Sequence, residues 1–122
     1  MTYIVTGGGG FIGSNFLHYI KKHTDLQDQI VVIDNLGYAA KKEYIPDDPQ
    51  FIFEWCDISD ENNVNYVFDK HKPKKIFHFA AESHVDNSIK NYRPFLESNV
   101  IGTINLLNAS LKHEVEKFHH VS

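Results

Sequence analysis

The chain has 122 residues, 42% of them hydrophobic and 23% charged, with a formal net charge of -4 at pH 7. These values are typical of one globular domain spanning residues 1–122, and the acidic balance disfavours nucleic acid as a partner because phosphate binding needs clustered cations. No apolar run reaches the length of a membrane span, so we expect no membrane partner. The single Cys56 excludes an internal disulfide, and no apolar leader follows Met1, so we expect a cytoplasmic location.

Short apolar, β-rich runs alternate with apolar stripes at helical spacing. Continuous runs of this kind suit strands buried on both faces of a parallel sheet. Because strands and helices alternate, we predict an α/β fold with a doubly wound parallel sheet. The predicted strands are residues 3–6, 30–33, 51–53, 76–79 and 118–121. The helical stripes are Ile12, Phe16, Leu17 and Ile20; Val64, Val67, Phe68 and His71; and Val100, Ile104, Leu107 and Leu111.

Two further features organise the middle of the chain. Asp60 is a typical N-cap residue before a helix at residues 61–70, and Lys72-Pro73 marks the end of that helix. Residues 35–50 contain two prolines and a charged cluster and predict a long loop, which in a compact domain often carries function.

The sequence GGGGFIG at residues 7–13 joins the first predicted strand to a helix at residues 12–23. The free N–H groups and positive dipole end of a helix attract a phosphate there, and glycine lets the phosphate approach the backbone. The glycines fit two spacings, GxGxxG from Gly8 and GxxGxxG from Gly7, both through Gly10 and Gly13, and the pattern alone does not separate them. A glycine-rich turn without any ligand is the alternative.

Asp34 strengthens the dinucleotide interpretation. It ends the second predicted strand about 20 residues after Gly13, where a carboxylate accepts both ribose hydroxyls of an adenosine. The same carboxylate repels a 2′-phosphate, so we expect NAD rather than NADP. The competing phosphate loop GxxxxGK[ST] continues here as Ser14-Asn15 and lacks its lysine, so nucleotide hydrolysis is disfavoured.

Polar residues crowd the segment FHFAAESHVDNSI at residues 77–89, after the fourth predicted strand. Small Ala80 and Ala81 leave room for a flat ligand in the crevice of a doubly wound sheet. For His84 and Asp86, a structural hydrogen-bonded pair that orders the segment is at least as good an interpretation as a catalytic role. The polar residues are Glu82, Ser83, His84 and Asp86.

Two other kinds of site are disfavoured. The histidines near the strand ends show no recognised ligand spacing, so we expect no metal site. A serine nucleophile lacks its elbow motif. The histidines are His78, His84, His119 and His120.

Six segments together resemble the amino-terminal part of the dTDP-glucose 4,6-dehydratases, within the extended short-chain dehydrogenase/reductase family. AAESHVD is the specific element, since related sugar-nucleotide epimerases tend to carry other residues there. The resemblance implies a Rossmann-type sheet truncated after about the fifth strand, with the GxxGxxG spacing. The segments are TGGGGFIGSNF, IDNLGYA, CDISD, HFAAESHVDNSI, ESNVIGTINLL and FHHVS.

The resemblance also implies which residues surround NAD. Along the pyrophosphate it implies Gly7, Gly10, Phe11, Ile12 and Gly13; at the adenosine ribose, Asp34, Asn35 and Leu36; beside the adenine, Asp57 and Ile58. On the nicotinamide side it implies Phe79, Ala80, Ala81, Ser83 and Ser98, of which Ser83 also touches the sugar. Asn35 and Gly37 depart from the basic residue and threonine that family members often carry.

The family reaction uses NAD as a built-in catalyst: hydride leaves C4 of the sugar, water is lost from C6, and the hydride returns to C6. The family's Thr-Asp-Glu and Tyr-x-x-x-Lys segments follow the FHHVS strand, whereas this chain ends at Ser122. Tyr38, before Lys41 and Lys42, lies in the wrong segment. We therefore expect no catalytic residue here, and a chain that is the NAD-binding half of an enzyme acting on dTDP-glucose, inactive alone.

Other expectations concern assembly and competing functions. The fifth strand would lie at an open edge, which favours self-association as a homodimer. A sugar-nucleotide 4-epimerase or decarboxylase shares the fold and the cofactor and is the closer alternative. A non-catalytic NAD-binding module is the other, although it would not need the Ser83 segment.

Overall fold

The computed structural model describes residues 1–7, 11–23, 27–35, 45–79 and 85–121, and of residues 11, 12 and 85–98 it describes the backbone. Strands and helices alternate through these residues, as predicted. The strands are β1 (Thr2–Thr6), β2 (Gln29–Asp34), β3 (Phe51–Trp55), β4 (Lys75–Phe79) and β5 (Lys117–Val121). The helices are α1 (Phe11–His23), α2 (Glu61–His71) and α3 (Val85–Lys112).

The described strands form one parallel sheet in the order β3-β2-β1-β4-β5. Ile4 of β1 pairs with Val31 of β2 on one side and with Ile76 of β4 on the other. All three side chains are fully buried, which is why these strands read as continuous apolar runs rather than alternating ones. The predicted doubly wound parallel sheet is confirmed.

Helices cover both faces of the sheet. On one face, Leu17 and Ile20 of α1 pack with buried strand residues such as Val5 and Val32. On the other face, a second cluster joins strand residues to α2 and α3. This cluster contains Ile4, Val31, Ile33, Cys56, Val64, Val67, Phe68, Ile76, Leu106 and Ala109.

The predicted ends of α2 are confirmed. The Asp60 carboxylate accepts hydrogen bonds from the backbone N–H groups of Asn62 at 3.0 Å and Asn63 at 3.2 Å, which satisfies two of the donors that a helix N-terminus leaves unpaired. At the other end Lys72 is left-handed, with φ of 48°, and its N–H donates to the carbonyl of Phe68 at 2.9 Å. The stripe on α2 is also confirmed, because Val64, Val67 and Phe68 are buried.

The helix around residues 100–111 is confirmed, but its apolar stripe does not face the core. The stripe residues are exposed, whereas Leu106 and the small Ala109 pack in the core cluster and Gly102 is buried against Ile58. The small residues let α3 approach closely, so helical spacing of large apolar residues marked the wrong face. The exposed residues are Val100 (58%), Ile104 (49%), Leu107 (42%) and Leu111 (80%).

The predicted loop at residues 35–50 and the polar segment at residues 77–89 are only partly covered by the structure. Of residues 35–50, the described part from Ile45 to Gln50 forms turns, and the Gln50 carbonyl accepts from the Ile30 N–H at 2.9 Å. Of residues 77–89, the last five belong to the first turns of α3 rather than to a loop. Within the described ranges, no helix is long and apolar enough to cross a membrane.

Candidate functional site

The carboxyl ends of the described strands meet at one edge of the sheet because these strands are all parallel. The strand order reverses between β1 and β4, since β2 and β3 lie on one side of β1 and β4 lies on the other. Sheets of this kind bind ligands in the crevice outside such a switch point. Gly7 directly follows β1 and Phe79 ends β4, so both predicted residues border this crevice.

Gly7 has a backbone conformation and surroundings that exclude any side chain. Its φ of +74° lies in the left-handed region, and a Cβ atom would lie 2.7 Å from the carbonyl oxygen of Phe79. Its N–H donates to the carbonyl of Ile33 at 3.2 Å. The first residue of the glycine motif is therefore clamped between the ends of β2 and β4. Beyond it α1 begins at Phe11, with Gly13 buried in its first turns.

Asp34 and Asn35 lie at the corner between β2 and β3. Asp34 is half-buried as the last residue of β2 and pairs in register with Trp55 of β3. Its carbonyl accepts from the Cys56 N–H at 3.2 Å, and the indole N–H of Trp55 donates to the Asn35 carbonyl at 3.3 Å. The carboxylate predicted to bind a ribose therefore stands at the same edge of the sheet as Gly7.

The loop after β3 holds Asp57 and Ile58 in a hydrogen-bonded turn. One carboxylate oxygen of Asp57, Oδ1, accepts from the Ser59 N–H at 3.0 Å and from its hydroxyl at 2.7 Å. The Asp57 N–H donates to the side-chain carbonyl of Asn63 at 3.0 Å, and the Ile58 carbonyl accepts from the Asn105 amide at 2.8 Å. Four segments with predicted site residues thus lie at the same edge of the sheet. They are the segments at the carboxyl ends of β1, β2, β3 and β4.

Several predicted residues lie outside what the structure describes. For Phe11, Ile12 and Ser98 the backbone is helical and the side chains are not described. Outside the described ranges lie Gly8, Gly10, Leu36, Ala80, Ala81, Ser83 and His84. The predicted pyrophosphate, ribose and nicotinamide contacts of these residues stay predictions.

Cys56 lies beside this edge but is a core residue. Its side chain is buried, and burial followed by the nearby carboxylates of Asp57, Glu54 and Asp60 raises the pKa of the thiol to about 12. A thiol with so high a pKa is a poor nucleophile and a poor metal ligand at neutral pH. Among the residues that the structure describes, no three histidine, cysteine or acidic side chains form a group able to hold a metal ion.

A Tyr-x-x-x-Lys spacing occurs on α2, at Tyr66 and Lys70, and the sequence reasoning above missed it. The structure gives this pair surface partners. Lys70 Nζ lies 2.5 Å from Glu54 Oε1 and 5.9 Å from the centroid of the Tyr66 ring, and Tyr66 is exposed. Since Lys70 is engaged by Glu54, we assign the pair no catalytic role.

His78 on β4 is a second feature that sequence reasoning missed, because it was weighed only as a metal ligand. The side chain is 2% exposed. Its Nδ1 is hydrogen-bonded to the Thr6 hydroxyl at 2.5 Å, and its Nε2 to the Thr103 hydroxyl at 3.0 Å. Burial, and to a smaller extent the nearby His120, lowers the pKa of His78 to about 4, so the ring is neutral at pH 7. In the sequence, a histidine within the apolar run of β4 could have indicated a buried, hydrogen-bonded side chain.

The sequence comparisons agree with the resemblance. The family model described as GDP-mannose 4,6 dehydratase matches residues 4–122. The dTDP-glucose 4,6-dehydratase of Haemophilus influenzae is 40% identical over 134 aligned positions, which cover 100% of this chain and 39% of that enzyme. The chain therefore spans about two-fifths of the length of this relative.

Solved structures share the fold. The dTDP-glucose 4,6-dehydratase of Streptomyces venezuelae, solved with NAD bound, has a TM-score of 0.85 at 35% identity and covers 97% of this chain and 38% of its own. The UDP-glucose 4-epimerase of Thermotoga maritima, solved with UDP-glucose, has a TM-score of 0.85 at 32% identity, over 98% of this chain and 37% of its own. The fold alone does not separate these two activities. With a family model matched from residue 4 to residue 122, the chain belongs to the GDP-mannose 4,6 dehydratase family.

Proposed function

We propose that residues 1–122 form the NAD-binding portion of a nucleotide-sugar 4,6-dehydratase acting on dTDP-glucose. The observation that carries the proposal is the placement of Gly7 and Asp34 after two neighbouring strands, β1 and β2, beside the switch point, joined through the hydrogen bond from the Gly7 N–H to the Ile33 carbonyl. The relatives' names and the NAD bound in the solved dehydratase support it. NAD would supply transient oxidation at C4 of the sugar.

The residues at the sheet edge fit the parts of a dinucleotide. α1 begins at Phe11, after the glycine motif, and its first N–H groups and positive dipole end suit the pyrophosphate. Asp34 would accept the hydroxyls of the adenosine ribose, with Asn35 beside it. Asp57 uses Oδ1 within its own loop, so Oδ2 would accept from the adenine amino group.

The remaining assignments concern the substrate side. Phe79 at the end of β4 would face the nicotinamide half, together with Ala80, Ala81 and Ser98. Ser83 would contact both the cofactor and the sugar. We assign no catalytic residue within the 122 residues and expect no dehydration by the chain alone, because its Tyr-x-x-x-Lys spacings, Tyr38–Lys42 and Tyr66–Lys70, do not lie where the family has the pair, after the FHHVS strand.

A 4-epimerase is the second candidate, and the epimerase structures of similar TM-score keep it open. Mass spectrometry of the product separates the two on the whole enzyme to which this proposal assigns residues 1–122, loaded with NAD and given dTDP-glucose. We expect a product lighter by one water. A product of unchanged mass with C4 inverted would favour the epimerase, and an NAD-bound enzyme that converts nothing would count against the dehydratase proposal.

We also propose that the protein forms a homodimer through α3. Val100, Ile101, Ile104, Leu107 and Leu111 expose large apolar side chains on one helix, and β5 forms an edge of the described sheet. Contiguous apolar surface of this kind is rare on monomers and typical of protein interfaces. The closed two-fold arrangement is the commonest one for such a self-complementary surface.

A further inference from the structure

The sheet-facing side of α3 carries two polar side chains and a glycine within four residues. Gly102 is buried, whereas Thr103 and Asn105 are half-buried and hydrogen-bonded. The position of Gly102 brings the helix close to the loop after β3, since a Cβ there would lie 2.5 Å from Ile58 Cγ1. Polar groups placed at so close a contact fix relative positions more sharply than apolar packing does, because hydrogen bonds depend on direction.

Asn105 holds the loop that would flank the adenine. Its amide nitrogen donates to the Ile58 carbonyl at 2.8 Å, across 47 positions of sequence. Ile58 also packs against the core cluster beneath α2 and α3. The backbone of Ile58 is thus held by α3 from one side and by the Asp57 turn from the other.

Thr103 is linked through His78 to the end of β1, where the glycine motif begins. The ring of His78 bridges the hydroxyls of Thr103 and Thr6, with one ring nitrogen donating and the other accepting because the ring is neutral. Thr6 is the residue before Gly7, and His78 is the residue before Phe79, whose carbonyl limits the space at Gly7. The hydrogen-bonded chain from α3 therefore ends at Thr6, directly before Gly7, the first residue of the glycine motif.

We propose that α3 is a positioning element with two separable arms: Asn105 positions the adenine-side loop at Ile58, and the Thr103–His78–Thr6 chain positions the glycine turn at Gly7. The inference rests on the proposed NAD site and adds residues that do not touch the cofactor. Supporting residues of this kind keep a binding site within fractions of an ångström of its working geometry.

Separate arms predict separate effects on two probes, adenosine and NAD. Adenosine would use the Asp34 and Ile58 side alone, whereas NAD would also use the glycine turn. Asn105→Leu should weaken both probes by the same factor, about three- to tenfold, the worth of one hydrogen bond. Thr103→Val should weaken NAD by about three- to tenfold and leave adenosine unchanged. Thr103→Ser, which keeps the hydroxyl, should restore NAD binding.

The experiment measures both dissociation constants by calorimetry or by the fluorescence of Trp55, the single tryptophan. The Trp55 indole is hydrogen-bonded to the carbonyl of Asn35, beside the proposed ribose site. Asn108→Leu, on the exposed side of α3, is the matched control and should change neither constant. Should Thr103→Val fail to fold, Thr6→Val breaks the same chain at its other end and should give the same pattern.

The outcomes are distinct. The inference is overturned if Thr103→Val weakens adenosine and NAD equally, since the chain would then act only on overall folding, or if neither variant changes either constant. If the wild-type chain binds neither probe, the proposed NAD site fails and the inference fails with it. The NAD site and the positioning role of α3 are both supported if the wild-type chain binds adenosine and NAD and Thr103→Val weakens NAD binding alone.

Discussion

Some residues at the sheet edge could be predicted from the sequence, and others could not. Gly7 and Asp34 were identified from spacing, because a glycine turn and a strand-ending carboxylate leave a local pattern. His78 and Thr103 were missed, because their partners lie 72 and 25 positions away and only the folded sheet brings them together. At this scale, short-range chemistry is predictable and long-range hydrogen bonding is not.

Gly7→Ala should destabilise the protein by about 2–3 kcal/mol, because it adds the cost of a left-handed residue to a clash with the Phe79 carbonyl. Gly102→Ala is the matched control. Its Cβ would also lie under 3 Å from neighbours, but these are the Cγ1 and Cδ1 atoms of the Ile58 side chain rather than backbone atoms, and Gly102 is helical, so no cost of a left-handed residue is added. Urea unfolding should therefore rank Gly7→Ala as clearly the less stable variant, and the reverse order would contradict the backbone clash.

His78 should make stability fall on acidification. Its folded pKa of about 4 lies below the ordinary value of 6.5, so the unfolded chain binds more protons between these values. The contribution of neutral His78 to the free energy of unfolding is fully present above pH 6.5. It decreases as the pH falls toward 4, by up to about 1.4 kcal/mol per pH unit. His120 on β5, stacked on the His78 ring, adds to this lowering of the His78 pKa.

Urea unfolding at several pH values tests this. His78→Asn should flatten the dependence between pH 6.5 and 4, whereas exposed His18→Asn should leave it unchanged. Glu54, whose pKa is lowered by hydrogen bonds from Lys70 and His71 against the opposing effect of partial burial, acts mainly below its ordinary value of 4.5. An unchanged slope in His78→Asn would show that His78 does not titrate as described.

At the scale of elements, each of the described strands lies within two residues of its prediction, because buried parallel strands are continuous apolar runs. The caps of α2 were also predictable, since capping is local. The face of α3 was not: Ile104 and Leu107 carry the apolar period and are exposed, whereas Leu106 and Ala109 are buried against the core and Gly102 against Ile58. Periodicity shows that a helix has two sides, and the close approach of small residues decides which one is buried.

Asp60→Ala should cost about 1 kcal/mol of stability, because two N–H groups at the start of α2 lose their acceptor. Asp60→Asn keeps an acceptor oxygen and should stay within a few tenths of a kcal/mol of the wild type. The midpoint of urea unfolding measures both. Equal midpoints for the alanine variant and the wild type would contradict the cap.

For the whole molecule, alternation of strands and helices was enough to predict the doubly wound sheet, because crossover connections of one hand leave few alternatives. The family and the fold are established. The topology does not determine the quaternary state, which depends on what packs against the exposed apolar residues of α3.

The proposed homodimer predicts a concentration-dependent sedimentation coefficient. Ile104→Glu, in the middle of the exposed apolar residues of α3, should shift the protein to monomer. Tyr66→Glu places the same charge at an exposed aromatic position on α2 and should leave the dimer intact. A single monomeric species of the wild type at every concentration would refute the proposal.

The most direct test of the central claim is a calorimetric titration of the 122-residue chain with NAD and with NADP, beside Asp34→Ala and a control at exposed Asp47→Ala. We predict saturable binding of one NAD per chain, weaker binding of NADP, and a loss of NAD affinity with a narrowed difference between the cofactors in Asp34→Ala only. A folded chain that binds neither cofactor, or that binds NAD equally well in Asp34→Ala, would contradict the NAD-binding function proposed for this sheet edge.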